Sequence, residues 1–159
     1  MNVQNVMSRD VETCGPESDL AEAAMIMWRK DCGVVPVTTG ERQVVGVITD
    51  RDICMAVATK HRCAEDVQVR EVIAGEPVVV RADDDVRTAM ERMRTLKIRR
   101  MPVVDRNGTL QGVVSLNDLA LKAESGSSRA DHLAAEDVFA VLRSVCEHGH
   151  TSQREPVHA

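Results

Sequence analysis

A hydroxyl residue and an aspartate occur three positions apart at two places in the chain. The first pair is Thr49-x-x-Asp52 and the second is Ser115-x-x-Asp118, and a glycine lies three residues before each hydroxyl. At the start of a helix such a pair forms a capping box, in which the hydroxyl and the acid satisfy backbone N–H groups. At the end of a strand the same two groups can also hold a polar ligand. The motif alone leaves both interpretations open.

The two motifs lie in a longer internal repeat with an ungapped offset of 66 residues, which relates Asp52 to Asp118. The same offset aligns Pro36-Val37 with Pro102-Val103 and keeps apolar positions along most of both copies. A self-similar stretch of this length indicates one structural unit that occurs twice. We therefore predict two units with the same fold, residues 3–60 and 67–124.

Each unit shows the same order of secondary-structure signals. A short helical lead and a short extended stretch precede an acidic N-cap and a helix with one apolar stripe. Two β-rich runs joined by turn residues follow, and a second helix closes the unit. The pattern predicts an α+β fold of two β-α-β-β-α units. The predicted strands are 11–14, 34–37, 44–49, 77–80, 101–104 and 110–115, and the closing helices are 50–60 and 116–124.

The sequence beyond the repeat predicts one further helix. Residues 125–129, Ser-Gly-Ser-Ser-Arg, have the composition of a linker. Apolar residues at 134, 138, 141, 142 and 145 then indicate an amphipathic helix, which we place at 130–147. The polar tail, 148–159, is expected to be flexible.

Composition limits the classes of protein that fit the sequence. The chain has 159 residues, of which 43% are hydrophobic and 28% charged, as is typical of a globular protein. Its net charge of −5 argues against a nucleic-acid partner, and the scarcity of aromatic residues removes the stacking platform of single-strand binders. We see no apolar leader and no membrane-spanning run, so we expect a cytoplasmic protein that contacts no membrane.

The paired strand–Gly-h-h-[Thr/Ser]-x-x-Asp-h pattern, in which h is apolar, resembles the tandem CBS-domain proteins, or Bateman modules, of the stand-alone bacterial type. The resemblance covers residues 3–123 and includes the Pro-Val pair of the preceding strand. It implies that the two units pack about a pseudo-twofold axis and leave two clefts between their sheets. It further implies an adenosine-containing ligand such as AMP, ADP, ATP or S-adenosylmethionine in these clefts.

The resemblance also implies which residues would hold such a ligand. A carboxylate at a helix start can accept two hydrogen bonds from a ribose diol, and the N–H groups there attract a phosphate. Asp52 and Asp118 would bind the ribose, and Thr49 and Ser115 would assist with ribose or phosphate oxygens. The backbone around four further residues would border the adenine: Val35, Pro36, Met101 and Pro102.

The two copies of the motif differ in charge. Arg51 lies inside the first copy and could pair with a phosphate, whereas Asn117 stands at the same place in the second. The second copy would need a cation from elsewhere, and the candidates are Arg99 and Arg100, which precede a predicted strand. The sequence therefore favours the first site for a phosphorylated ligand. A salt bridge between Arg51 and a neighbouring carboxylate is the alternative.

We expect a regulatory protein rather than an enzyme, because the chain shows no Ser-His-Asp arrangement, phosphate-binding loop or zinc-protease motif. No metal is expected either, since Cys146-x-His148-x-His150 lacks the spacing of common structural zinc sites. As partners we predict an effector protein in trans and a second copy of the chain. The homodimer contact would use the apolar helical segments Met25–Trp28 and Met90–Met93.

Two alternatives from other functional classes stay open. The first is a ligand-independent dimeric interaction or stress protein, in which the hydroxyl and aspartate residues only cap helices. The second is a thiol- or metal-responsive protein that depends on Cys14, Cys32 or the cluster at Cys146–His150.

Overall fold

The structure is a computed structural model that describes residues 1–73, 75–123 and 133–147. The expected linker 125–129, the first three residues of the expected last helix and the tail 148–159 lie outside the described residues. The helices are α1 (Leu20–Arg29), α2 (Asp50–Lys60), α3 (Val86–Leu96), α4 (Leu116–Lys122) and α5 (Ala135–Cys146). The strands are β1 (Val34–Thr38), β2 (Val44–Thr49), β3 (Val80–Arg81), β4 (Arg100–Val104) and β5 (Leu110–Ser115). The predicted α+β class is confirmed.

Each of the first four helices begins at a side chain that accepts a hydrogen bond from the first turn. Asp19 accepts from the N–H of Glu22 at 2.8 Å, and Asp85 accepts from the N–H of Arg87 at 2.9 Å. Short polar residues are preferred at this position because they satisfy N–H groups that have no partner within the helix. Local sequence therefore fixes where these helices start.

The strands form two small sheets. β1 pairs antiparallel with β2, while β4 pairs antiparallel with β5 and parallel with the two-residue β3. The predicted strand 11–14 is wrong except at Cys14, which makes a single parallel bridge to Val37. Only its backbone reaches the ladder, since Cys14 donates to the Pro36 carbonyl at 3.3 Å and accepts from the N–H of Thr38 at 2.9 Å.

A pseudo-twofold axis relates the two units and passes between Gln43 and Thr109. These two residues are equivalent in the repeat, and the Gln43 amide donates to the Thr109 hydroxyl at 3.1 Å. Two symmetric backbone bonds flank the pair: Val44 N–H to the Gly108 carbonyl, 3.3 Å, and Leu110 N–H to the Arg42 carbonyl, 3.0 Å. The sheets of the two units therefore meet through repeat-equivalent positions.

The leads of the two units are exchanged between the two hydrophobic cores. Val3 is fully buried in the core around α3, β4 and β5, whereas Val69 is fully buried in the core around α1, β1 and β2. The exchange is tied by equivalent backbone bonds, from Leu20 N–H to the Val67 carbonyl at 3.0 Å and from Val86 N–H to the Met1 carbonyl at 2.9 Å. Each core consequently contains residues from both halves of the chain.

The last helix covers the helical face of the second unit. Val138, Val141 and Val145 of α5 are buried against a set of apolar residues from α3 and α4. That set is Val86, Ala89, Met90, Met93, Leu116 and Leu119. No helix in the described part of the chain is long and apolar enough to cross a bilayer.

Candidate ligand-binding site

Both hydroxyl–aspartate pairs form the capping box that the sequence allowed. In the first unit Asp52 Oδ2 accepts from the Thr49 N–H at 3.0 Å and from the Thr49 hydroxyl at 2.6 Å. In the second unit Asp118 Oδ2 accepts from the N–H of Ser115 at 2.8 Å and from the Ser115 hydroxyl. One carboxylate oxygen of each aspartate is therefore committed to the helix start. The other oxygen, Oδ1, decides whether the aspartate can also bind a ligand.

The second oxygen of Asp118 is held by the exchanged lead. Asp118 Oδ1 accepts a hydrogen bond from the Ser8 hydroxyl at 2.9 Å, and Ser8 also pairs with Val113 through two backbone bonds. The repeat equivalent of Ser8 is position 74, which lies outside the described residues. Within the described ranges both side-chain hydrogen bonds of Asp52 fall on Oδ2, which leaves Oδ1 without a protein partner. The two aspartates thus differ in how strongly their carboxylates are fixed.

A cleft of about 760 Å³ lies beside the second motif, between α4 and the connection from α1 to β1. It brings together four of the predicted site residues, namely Ser115, Asn117, Asp118 and Arg100. It also contains residues that the sequence did not single out, namely Ser8, Val11, Lys30, Val34 and Leu142, together with Cys146 of the thiol- or metal-responsive alternative. The cleft is therefore built from both units, from the exchanged lead and from α5.

The other predicted site residues do not line this cleft. Val35, Pro36, Met101 and Pro102 are buried inside β1 and β4, because both strands are covered on their two faces. The residues that reach the cleft are instead those at the strand starts, Val34 and Arg100. The predicted position of Val35, Pro36, Met101 and Pro102 beside the adenine therefore gains no support at this cleft.

The first motif lies outside the cleft as well. Thr49 and Asp52 are half-buried in their capping box, and Arg51 is exposed. The alternative of an Arg51 salt bridge finds no described carboxylate as partner. A ligand role for these three residues stays a prediction.

Positive charge enters the cleft from the start of β4. Arg99 and Arg100 line it, and neither makes an ion pair with a described residue. Lys30 is occupied, since its hydrogen bond to Asp10 at 2.9 Å raises the pKa of the Lys30 ammonium. Glu12 also lines this cleft, and the hydrogen bond from Arg29 lowers the pKa of its carboxyl. The two arginines are therefore the cations placed to meet an anionic group.

Glycines create the close approaches on which the cleft depends. A Cβ on Gly33 would lie 2.7 Å from Asp50 Oδ2 and 3.2 Å from a guanidinium nitrogen of Arg100, so this glycine leaves room for both at the seam between the units. A Cβ on Gly112 would strike the carbonyl oxygen of Ser8. The glycine of the second motif thus has a packing reason, because the exchanged lead crosses the strand there.

The helical face of the first unit carries an open groove of about 550 Å³ between α1 and α2. Trp28, Ile53 and Cys54 line it, and Trp28 is 82% exposed. In the repeat this groove corresponds to the surface on α3 and α4 that α5 covers. The predicted dimer contact at Met90–Met93 is consequently wrong, since α5 buries Met90 and Met93.

The thiol- and metal-based alternatives gain no support from the described residues. Cys14 is buried, and loss of solvation raises the pKa of its thiol to about 11, which disfavours the reactive thiolate. Cys32 is half-buried and its thiol donates to the Val34 carbonyl at 3.3 Å. No group of three metal-ligating side chains is present within the described ranges, and His148 and His150 lie outside them.

Ser8 and Leu142 carry no signal of a binding role in the sequence. Ser8 precedes the repeat's first β-rich run, and its contact with Asp118 spans 110 residues, beyond the reach of local patterns. Leu142 belongs to an apolar stripe, which predicts burial without naming what the stripe packs against.

A family model for the CBS domain matches residues 3–59 and 69–124 of this chain. The chain belongs to the CBS-domain family. The CBS domain-containing protein YhcV of Bacillus subtilis is 34% identical over 133 residues, which cover 83% of this chain and 92% of YhcV. The tandem arrangement inferred from the repeat is confirmed.

Solved structures of CBS proteins share the fold. The CBS domain protein PAE2072 from Pyrobaculum aerophilum, complexed with AMP, has a TM-score of 0.68 and 28% identity, covering 75% of this chain and 90% of that one. The CBS domain pair of protein MJ0100, in complex with 5′-methylthioadenosine and S-adenosyl-L-methionine, has a TM-score of 0.69. It is 23% identical and covers 76% of this chain and 94% of that chain, so it supports the fold alone.

Several relatives are enzymes that the chain matches only in part. The chain spans between 22% and 25% of the length of the homoserine O-acetyltransferases and of an inosine-5′-monophosphate dehydrogenase that it resembles. It spans 61% of the uncharacterised protein MK0525 of Methanopyrus kandleri. The likeness to these enzymes is therefore confined to about a quarter of their length.

Proposed function

We propose that this CBS pair is a non-catalytic sensor that binds an adenosine ligand of the AMP, ADP or ATP type in the cleft at the second motif. The observation that carries the proposal is the cleft itself, where Asp118, Ser115 and the arginines of the β4 start face one cavity. The AMP complex of the 28% identical relative supports the same ligand class. The proposal includes a cytoplasmic location, where the adenine nucleotide pool lies.

Each part of an adenine nucleotide has a chemical counterpart in this cleft. The ribose diol would donate to Asp118 in place of, or alongside, the Ser8 hydroxyl. The phosphate would lie against Arg99 and Arg100, which can bind its oxygens in a bidentate manner. The adenine would contact aliphatic side chains such as Val11 and Val34, since the described cleft contains no aromatic residue. The second motif is therefore preferred over the first, although only the first contains an internal arginine.

The test compares nucleotide binding by the wild type, Asp118→Ala and Asp52→Ala. Both substitutions remove an equivalent capping box, so each should lower stability by about 1 kcal/mol. AMP, ADP or ATP at 100 times its Kd should stabilise the wild type by about 2.7 kcal/mol, seen as a rise in Tm. Asp118→Ala should lose this stabilisation and Asp52→Ala should keep it. Absence of any shift in the wild type with all three nucleotides would contradict the proposal and favour a ligand-independent interaction protein.

We further propose that the protein signals as a homodimer to an effector in trans, with the α1–α2 face as the contact between copies. Met25, Trp28 and Met55 on this face are 51%, 82% and 51% exposed, and large apolar side chains grouped on one face are typical of interaction surfaces. A nucleotide could alter such an assembly only by binding one of its states more tightly.

Analytical ultracentrifugation of wild type and Trp28→Lys tests the dimer. We expect a dimer mass for the wild type and a monomer mass for Trp28→Lys, because a buried lysine ammonium would oppose association. Phe139→Lys, on the exposed side of α5, is the control and should stay dimeric. A monomeric wild type at micromolar concentration would exclude this interface.

A further inference from the structure

Two edges of α5 contact the rest of the protein. Its inner edge, formed by Val138, Val141 and Val145, is buried against α3 and α4. Its neighbouring edge carries Leu142 and Cys146, which line the cleft together with Asp118 and Arg100. These two residues are four positions apart and therefore lie one above the other on the helix. A single helix thus contributes both to the core of the second unit and to one wall of the cleft.

Packing against α3 and α4 is what stabilises α5 as a helix. It has 12 residues, and its N-cap residue, Ala134, provides no side-chain hydrogen bond. A helix of that length is only marginally stable alone in water, so most of its stability comes from packing. Any contact that strengthens the packing of α5 will therefore also increase the population of the helix.

The far end of α5 is fastened to the chain segment that leads to the cleft arginines. The Lys97 ammonium donates to the Ser144 carbonyl and lies 3.9 Å from Glu147 Oε2. Lys97 is two residues before Arg99, the first of the two cleft arginines. The end of α5 and the proposed phosphate position are consequently joined by one short stretch of backbone.

We infer that α5 is the closing wall of the nucleotide cleft, and that cleft occupancy and docking of α5 stabilise each other. Leu142 is 41% exposed, and a nucleoside seated on Asp118 would cover part of that apolar surface. The coupling is reciprocal by necessity: if α5 docking raises nucleotide affinity, the nucleotide raises α5 docking by the same factor. This inference rests on the proposed function, and it assigns to α5 the role of reporting occupancy to a partner.

Calorimetric titration with AMP tests the wall. Leu142→Ala should weaken AMP binding by about tenfold, within the range expected when a hydrophobic contact is lost from a binding site. Phe139→Ala is the matched control, since Phe139 is on the same helix and 65% exposed but is not part of the cleft, and it should bind AMP as the wild type does. Tm values without nucleotide check that both variants are folded.

Hydrogen exchange of the wild type with and without AMP tests the coupling. AMP should slow exchange in residues 135–146 as well as around Ser115–Asp118. Slower exchange around Ser115–Asp118 alone, together with equal AMP affinity for both variants, would overturn the role of α5 and leave the proposed function intact. If AMP alters neither region and does not bind the wild type, the proposed function fails, and the inference fails with it.

Discussion

The two units follow the same chain path, yet their outer helical faces differ. In the second unit α5 covers α3 and α4, whereas the equivalent face of the first unit exposes Trp28. The position of Trp28 corresponds in the repeat to Arg94, which pairs with Glu91 at 2.8 Å on the rim of the covered face. Both units therefore present an equivalent surface for a helix, and the described part of the chain covers only the one on the second unit.

The ends of the two faces also carry opposite charges. Lys97 and its repeat equivalent, Asp31, share the left-handed backbone conformation, with φ values of 56° and 47°. Lys97 holds the C-terminal end of α5 through the Ser144 carbonyl, and such cation contacts stabilise helix C-termini. Asp31 would repel the same helix end. The difference shows how two equivalent grooves can be made to accept different occupants.

Displacing α5 from α3 and α4 should abolish the difference between the two helical faces. A substitution that does so has the largest expected effect on the free energy of unfolding. Val141→Asp places a carboxylate at a position where the native side chain is 4% exposed. We therefore expect a loss of about 4 kcal/mol in the free energy of unfolding. Phe139→Asp, on the exposed side of α5, should change it by less than about 0.5 kcal/mol. Urea unfolding measures both, and equal effects would show that α5 is not docked.

The two motif glycines should differ in the cost of an added methyl group. In Gly112→Ala the new Cβ meets the backbone carbonyl of Ser8, whereas in Gly46→Ala it lies 2.7 Å from the flexible Cδ1 of Ile73. We expect a loss of about 2 kcal/mol for Gly112→Ala and less than about 1 kcal/mol for Gly46→Ala. The same unfolding assay decides the order, and a larger loss for Gly46→Ala would mean that the lead is packed more rigidly in the first unit.

The smallest expected effect at neutral pH concerns Cys14, whose repeat equivalent is Val80. The pKa of the buried Cys14 thiol is raised from 9.0 to about 11, so the unfolded chain loses this proton first as the pH rises. Stability from this group is complete below pH 9 and falls between pH 9 and 11, by at most about 1.4 kcal/mol per pH unit.

Cys14→Val makes the first core match the second and removes this titration. At pH 7 the substitution should change stability by less than about 1.5 kcal/mol, and above pH 9 it should flatten the alkaline decline. Unfolding curves at pH 7 to 10.5 measure the slope, with Cys54→Val, at an exposed cysteine, as the control. An unchanged slope in Cys14→Val would assign the decline to other groups.

Much of the fold could be predicted because its signals are local and occur twice. The capping residues Asp19 and Asp85 mark helix starts, and the 66-residue offset places the hairpins and the pseudo-twofold axis. The exchange of Val3 and Val69 between cores could not be predicted, since an apolar residue indicates burial but not the core that receives it. The covering of α3 by α5 was hidden for the same reason.

The candidate site was predictable where it follows from the motif and not where it depends on distant contacts. Ser115, Asn117, Asp118 and Arg100, which the sequence named, line one cleft. Met101 does not, because the strand that Arg100 begins turns its next residue into the core. Pro102, two residues beyond Arg100 and on the same face of the strand, is also buried, because β4 is covered on both faces.

The exchanged leads also determine when each hydrophobic core can be completed during synthesis on the ribosome. The first core needs Val67 and Val69, while the apolar lead at Val3 must wait for the strands and helices up to Leu119. At ordinary rates of synthesis this wait is on the order of ten seconds. During that time the apolar lead around Val3 has no core to enter, so this lead stays open to a chaperone until the second core forms.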